Sequence, residues 1–351
     1  MLTRRKFIKL AGATLAVATA PINSLANIES PPSKFGGLTP NADFYVTSWA
    51  KTPRVDVSAW SLKIHGLVNR PLSLSYNDIK RLPPVEQRLT LECISNPPDG
   101  KAIGNADWTG VKLRPLLEQT GVRSSAVYAA LRGADGYYTG VPVDEIMRDE
   151  NWMPYLMNGA PLPPAHGYPL RLFIPGKYGM KQPKWITEIE FVDREFIGYF
   201  EAQGWSNESW RKVNSGFLYP HPTDGMWMPT RVRTWPSVVS ILDALSLGAL
   251  ATVRAPLTIA GWALAGPSGI KRVQISSDDG ASWHDAQIVE NASPYIWTVW
   301  KYHFAPQKPG GYIVKVKATD GNGTTQPEDD PQTSSGMSGQ PRMRLDVIST
   351  V

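Results

Sequence analysis

Prolines and glycines interrupt this chain throughout, 31 and 30 of them in 351 residues. Each proline fixes φ and removes a backbone donor, and each glycine weakens a helix interior, so the pattern favours short strands and many turns over long helices. Composition is otherwise that of a globular protein, with 42% hydrophobic and 19% charged residues. Removing a leader at residues 1–26 leaves 325 of the 351, more than one compact core usually holds. Two domains are expected, 27–233 and 234–351.

The first is expected to be α+β, a mixed α/β fold. Trp60 to Ile64 alternates as a strand. Ser75 is placed to cap a short helix running to Arg81, and Leu113 to Gln119 reads as a helix with Pro115 in its first turn and Gly121 as its stop. Val127 to Leu131 and Leu170 to Ile174 read as buried strands, and Asn158-Gly159 as a turn. From about Ala255 the helix signal disappears. Leu257 to Ile259, Val273 to Ile275, Trp297 to Phe304 and Tyr312 to Ala318 alternate at strand period, which predicts an antiparallel, immunoglobulin-like sandwich. The boundary is expected within Met228 to Pro256, a stretch broken by Pro229, Pro236 and Pro256.

The chain opens Thr3-Arg4-Arg5-Lys6-Phe7-Ile8-Lys9 and continues into an alanine-rich apolar stretch, Leu10 to Ala20. That is the pattern of a twin-arginine signal peptide, with Ser24-Leu25-Ala26 placing the mature start near Asn27. This route exports folded proteins, commonly with a cofactor already inserted, so the expected location is the periplasm. The signal carries Arg4, Arg5, Lys6 and Lys9 and no acid; subtracting these four from the net charge of +5 leaves +1. A near-neutral mature chain has no polycationic footprint for nucleic acid. The longest later apolar stretch, Val238 to Val253, contains Asp243 and falls short of the ~20 residues of a membrane helix, so no stable span is expected.

A single cysteine, Cys93, ends the alternating run Leu89-Thr90-Leu91-Glu92-Cys93 ahead of a turn-rich stretch, Ser95 to Gly100. One thiol excludes an internal disulfide, covalent c-type haem and four-cysteine clusters. The five histidines, at 65, 166, 221, 284 and 303, lack the spacing of a two-histidine zinc site, and no phosphate-cradling glycine loop follows a strand. The thiol is therefore either a buried core filler or a working ligand.

The stretch Thr90-Leu91-Glu92-Cys93-Ile94-Ser95-Asn96 resembles the Thr-x-x-Cys-x-x-Asn of the sulfite oxidase family of molybdopterin enzymes. Further similar segments follow in order: Asn105 to Val111, Met157-Asn158-Gly159 with Leu162-Pro163, His166 to Arg171, and Pro175 to Trp185. Later, Ser276 to Trp283, and Ala318-Thr319-Asp320 with Gln326-Pro327, resemble the family's immunoglobulin-like dimerisation domain. The resemblance spans nearly the whole mature chain, and the shared order of its motifs is what makes it specific. It implies a molybdenum-molybdopterin cofactor whose metal is held by Cys93, with Trp108 and Trp205 shaping the mouth as catalytic residues. Tyr45, Val46, Asp135, His166, Arg171, Gln182, Pro183 and Lys184 are implied cofactor contacts, Arg171 and Lys184 at the phosphate. A soft thiolate suits a metal already held by dithiolene sulfurs, and a guanidinium fork suits phosphate.

Each of these residues has a plainer role when met alone. A lone cysteine is usually core, exposed arginines and lysines are usually solvated, Asp135 before Gly136 is a turn signal, and tryptophans usually pack. The chain also departs from family members that oxidise sulfite. Pro97 and Pro98 stand where those carry arginines, Thr47-Ser48-Trp49 where they carry Arg-Asn-His, and Trp205 where they carry a tyrosine. Arg132, Lys101 and Lys181 are the remaining candidates for charge at the substrate. The expected activity is transfer of an oxygen atom and two electrons to or from a small oxyanion or sulfur-centred substrate, sulfite first. Electrons would pass to a partner such as cytochrome c or a membrane acceptor, and the chain is a candidate homodimer. A sulfoxide or N-oxide reductase is the alternative on the same cofactor, and a cofactor-free exported binding protein the alternative of another class.

Overall fold

The computed structural model describes residues 37–219, 250–252, 257–331 and 333–348. The signal segment, the Asn27 start, most of Val238 to Val253 and nearly all of Met228 to Pro256 lie outside these residues. In chain order, β1 (Ser61–Gly66), β2 (Leu72–Ser75), α1 (Tyr76–Arg81), β3 (Pro84–Glu92), β4 (Ile103–Lys112) and α2 (Arg114–Thr120) come first. They are followed by β5 (Tyr128–Gly133), β6 (Tyr138–Pro142), α3 (Val143–Ile146), β7 (Trp152–Met157), β8 (Ala160–Pro161) and β9 (Ile186–Val192). The remaining strands are β10 (Asn214–Tyr219), β11 (Leu250–Thr252), β12 (Leu257–Leu264), β13 (Ile270–Ser276) and β14 (His284–Asp285). After them come β15 (Gln287–Glu290), β16 (Thr298–Phe304), β17 (Gly310–Asp320) and β18 (Arg342–Ile348).

Sheet dominates the first part, and its helices are few and short. The described α-helices are only six, seven and four residues long. The first two form where their end signals were read; α3 had no such signal. The Ser75 hydroxyl accepts from the Asp78 amide while Asp78 returns a bond to the Ser75 amide, and Gly121 ends α2 at φ 65°.

The first part holds two sheets, β2-β1-β9-β5-β6 and β3-β4-β7-β8. The former is covered by α1 and α2 over a core containing Leu62, Ile64, Ile79, Leu117, Leu131 and Ile189. The latter packs Leu89, Leu91, Trp108, Trp152 and Phe173 on one another. Asn158 and Gly159, both at positive φ, make the tight β7–β8 turn. Leu170–Ile174 is buried as expected but is not a strand: Phe173 alone bridges to Trp152, and the Leu172 amide turns to the Pro183 carbonyl. Its backbone bonds are divided between two neighbours, so no ladder forms.

Two further sheets, β10-β12-β16-β15 and β11-β18-β17-β13-β14, face one another across Phe217, Ile259, Val273, Trp300, Val314 and Leu345. Against the all-antiparallel expectation, β11 pairs with β18 in parallel. Asn214–Tyr219, on the N-terminal side of the expected boundary, pairs with β12 and so belongs to this second sheet pair.

Candidate functional site

Strand alternation aims the last residues of β3 in two directions. Leu91 and Cys93 line a cavity, while Thr90 and Glu92 turn away from it into hydrogen bonds with the second sheet pair. Beyond Cys93 the chain loops out and returns at β4. The loop is closed by the Cys93 amide on the Ala102 carbonyl (2.9 Å) and the Ala102 amide on Asn96 Oδ1 (2.9 Å). Cys93 Sγ lies 3.2 Å from the Ser95 hydroxyl. Among the described residues, no cluster of three or more His, Cys, Asp or Glu side chains is placed to hold a metal ion.

The cavity encloses about 900 Å³ out to its solvent-open mouth. Segments distant in sequence build it: Phe44 to Trp49, Leu91 to Ser95, Asp135 with Tyr137, His166 with Arg171, Gly179 to Trp185, and Phe200 with Trp205. Nine of the eleven expected site residues come together here: Tyr45, Cys93, Asp135, His166, Arg171, Gln182, Pro183, Lys184 and Trp205.

Val46 and Trp108 do not. Val46 is 50% exposed, outside the cavity lining. Trp108 is fully buried beneath the cavity, edge-on to Phe44 and Phe173, with its indole donating to the Leu89 carbonyl at 3.3 Å. Its place on β4, paired opposite Gln87 of β3, turns the ring into the core, so its role is support of the wall rather than the mouth.

The Arg171 guanidinium is buried over the rings of Trp108 and Phe173, at 5.3 and 4.7 Å. Its Nη1 donates to the His166 carbonyl at 3.1 Å and its Nη2 to the Gln182 carbonyl at 3.4 Å, while Nε has no partner. Burial lowers its pKa to about 10, which still leaves it charged at neutral pH. His166 Nε2 donates to the Asn41 carbonyl (3.2 Å), and burial beside Arg171 lowers its pKa to about 4, so its ring is neutral.

Lys184 Nζ engages the Thr47 carbonyl (3.0 Å), the Ser48 hydroxyl (2.7 Å) and the Ala165 carbonyl (2.9 Å), a full set of acceptors for an ammonium group. Burial and Arg171 lower its pKa to about 7. Asp135, raised above the usual carboxylate range by desolvation, accepts from the Tyr137 amide at 3.1 Å. Gln182 is fixed through its amide on the Lys177 carbonyl (2.7 Å). Tyr45 stays a neutral phenol, its pKa raised by burial and then by Cys93.

None of the three other cations read from the sequence serves this cavity. Lys181 is buried against Glu201 (2.5 Å), and Arg132 of β5 pairs with Glu188 and Glu190 of the neighbouring β9. Lys101 is exposed on the loop after Cys93, outside the cavity lining.

Two family models match the chain: an oxidoreductase molybdopterin binding domain over residues 49–200 and a Mo-co oxidoreductase dimerisation domain over residues 237–349. An uncharacterized oxidoreductase of Bacillus subtilis, YuiH, is 33% identical over 150 residues, covering 43% of this chain and 74% of that protein. The chain belongs to the sulfite oxidase family of molybdopterin-dependent oxidoreductases.

Mouse mitochondrial sulfite oxidase is 27% identical over 86% of this chain, and a barley NADH nitrate reductase 28% over the same share. The chain spans 60% and 38% of those proteins' own lengths. The sulfane dehydrogenase SoxCD of Paracoccus pantotrophus shares the fold, with a TM-score of 0.71, 20% identity, and coverage of 94% of this chain and 92% of that one.

The residues present fit the family's molybdenum-molybdopterin. One thiol on the wall would serve as the metal's protein ligand, and the buried, unpartnered Nε of Arg171 is a donor that a phosphate oxygen would satisfy. Neutral His166 and the Gln182 and Pro183 backbone surround the same space.

The sequence reading missed two buried groups behind Cys93. Glu92 leaves one carboxylate oxygen unpartnered, and Arg211 leaves all three guanidinium nitrogens so. A charge at an inward position of a buried strand was the available signal for Glu92; Arg211 carries no comparable pattern.

Proposed function

We propose that this chain is a periplasmic enzyme that moves an oxygen atom and two electrons between molybdenum and a small sulfur-centred substrate, with sulfite the first candidate. The molybdopterin-bound metal supplies the oxygen transfer and the redox chemistry. The observation that carries the reading is Cys93, the chain's single cysteine, set on the wall of a cavity shared with the buried Arg171. Cys93 would ligate the metal, and Arg171 would hold the cofactor phosphate in a setting where few competing waters reach it. His166 would meet the pterin as a neutral ring. Ile94, Met180, Phe200 and Trp205 form an apolar rim that keeps bulk water from the thiolate side.

Alignment with mouse sulfite oxidase over most of the chain supports sulfite. One observation favours the second reading, reduction of a neutral sulfoxide or N-oxide. The lining cations, Arg171 and Lys184, are tied to the His166, Thr47 and Ser48 side, whereas the wall around Cys93 is uncharged. A sulfite dianion needs compensating cations in a partly dry site, and a sulfoxide does not.

The test is steady-state turnover of metal-loaded enzyme. Sulfite oxidation with an artificial acceptor supports the first reading; reoxidation of a reduced dye only with sulfoxides or N-oxides replaces it with the second. A folded protein purified without molybdenum or pterin would return the chain to the binding-protein class. Electrons would pass on to a cytochrome c or a membrane acceptor. The twin-arginine pattern at Thr3 to Lys9 supports export, and the match of residues 237–349 to a dimerisation-domain model supports homodimerisation.

A further inference from the structure

The strand and loop that carry Cys93 are gripped from the second sheet pair. Asn214 Nδ2 of β10 donates to Glu92 Oε1 at 2.8 Å, the same oxygen that receives Asn96 Nδ2 at 3.1 Å. The Phe217 amide of β10 donates to Asp99 Oδ1 at 2.8 Å, on the far side of the loop. The Thr90 amide donates to the Tyr295 carbonyl at 3.1 Å, and the Trp297 amide to the Thr90 hydroxyl at 2.9 Å. Thr90, Glu92, Asn96 and Asn214 are each at most 2% exposed.

Asn214 is itself locked. Its Oδ1 accepts from the Ser215 amide (3.0 Å) and from Gln326 Nε2 (3.4 Å). Gln326 Oε1 accepts from the Ser215 hydroxyl (2.6 Å) and the Ala318 amide (2.8 Å), and its Nε2 also donates to the Ser338 and Gly339 carbonyls. A buried chain of amides thus runs from the core of the second sheet pair to the residue before the thiol. The side-chain amides of Asn96, Asn214 and Gln326 are bonded at both nitrogen and oxygen and only Glu92 Oε2, at the end of the chain, lacks a partner, so each further lost bond leaves a buried polar group without water.

We propose that Asn214 and Gln326 are positioning residues for the Cys93 thiol, so that the second sheet pair holds the metal ligand in place in addition to any part in assembly. The proposal rests on Cys93 being the ligand only for its consequence at the metal; the clamp itself is measurable without cofactor. Because Cys93 is the only cysteine, a thiol reagent reports on it alone.

The experiment measures iodoacetamide labelling at fixed pH, and amide hydrogen exchange of residues 93–102, in full-length cofactor-free protein. Asn214→Leu and Gln326→Leu are expected to speed both by about tenfold or more. Val314→Ala, which weakens the same sandwich core without touching the chain of amides, serves as the reference for general destabilisation. Asn214→Ser provides a milder lesion where the leucine variant does not fold.

Equal effects of Val314→Ala and the clamp variants on residues 93–102, or no effect of either, would overturn the proposal. In the loaded enzyme the thiolate-to-metal absorption band is expected to shift in the clamp variants. Absence of that band from wild type defeats the ligand role of Cys93, while labelling and exchange still decide the clamp.

Discussion

At the scale of single residues, the cavity is organised by how burial changes each group's charge. Cys93→Ser replaces a soft ligand by a hard hydroxyl of similar size, so turnover and the thiolate band are expected to be lost while the fold remains; activity within tenfold of wild type would remove Cys93 from the metal. His166 gives a pH prediction with a defined sign. Its folded pKa of about 4 lies below the unfolded 6.5, so between those values the unfolded chain binds more protons. The His166 contribution to the stability of cofactor-free protein is therefore expected to fall as pH drops from 6.5 to 4, by about 3 kcal/mol when the titration is complete, while Asp99, pushed up to about 7 by burial, contributes with the opposite sign to wild type and variant alike. Denaturant melts of wild type and His166→Gln should show this slope only in wild type; equal slopes would place a charged or solvated imidazole here.

At the scale of elements, the sheet that carries Cys93 depends on close backbone approach. A Cβ at Gly110 would lie 2.1 Å from the Met153 carbonyl oxygen, at the register shift where β4 meets β7. Gly110→Ala is expected to destabilise by about 1–3 kcal/mol, read as a lowered Tm, with β4–β7 amides losing exchange protection first. Local end signals were legible in the sequence because they act within a few residues: Ser75 with Asp78, Gly121 and Asn158-Gly159 all sit where turn and cap chemistry puts them. Leu170–Ile174 was legible only as buried, since period and hydrophobicity do not specify partners. The site followed the same division. Ordered motifs marked nine cavity residues, but Trp108 turned inward with its strand, and the ion pairs that occupy Lys181 and Arg132 depend on side chains far along the chain. Glu92 needed its partner Asn214, which lies 122 residues away.

At the scale of the whole molecule, the second sheet pair faces two demands. The family model it matches is described as a dimerisation domain, while its strand β10 and residues Tyr295 and Trp297 are committed to the Cys93 strand and loop. Residues bonded to the first part are buried within one chain and cannot also form a contact between chains. Any dimer contact would then use surface away from the clamp, such as the far edge of one sheet at β14. Light scattering of the mature protein is expected to give twice the mass of one chain, and Asn214→Leu and Gln326→Leu are expected to leave that mass unchanged while they loosen residues 93–102. A clamp variant that falls to a monomer would mean that assembly and thiol positioning share one surface. A monomeric wild type would instead confine the second sheet pair to holding the metal loop.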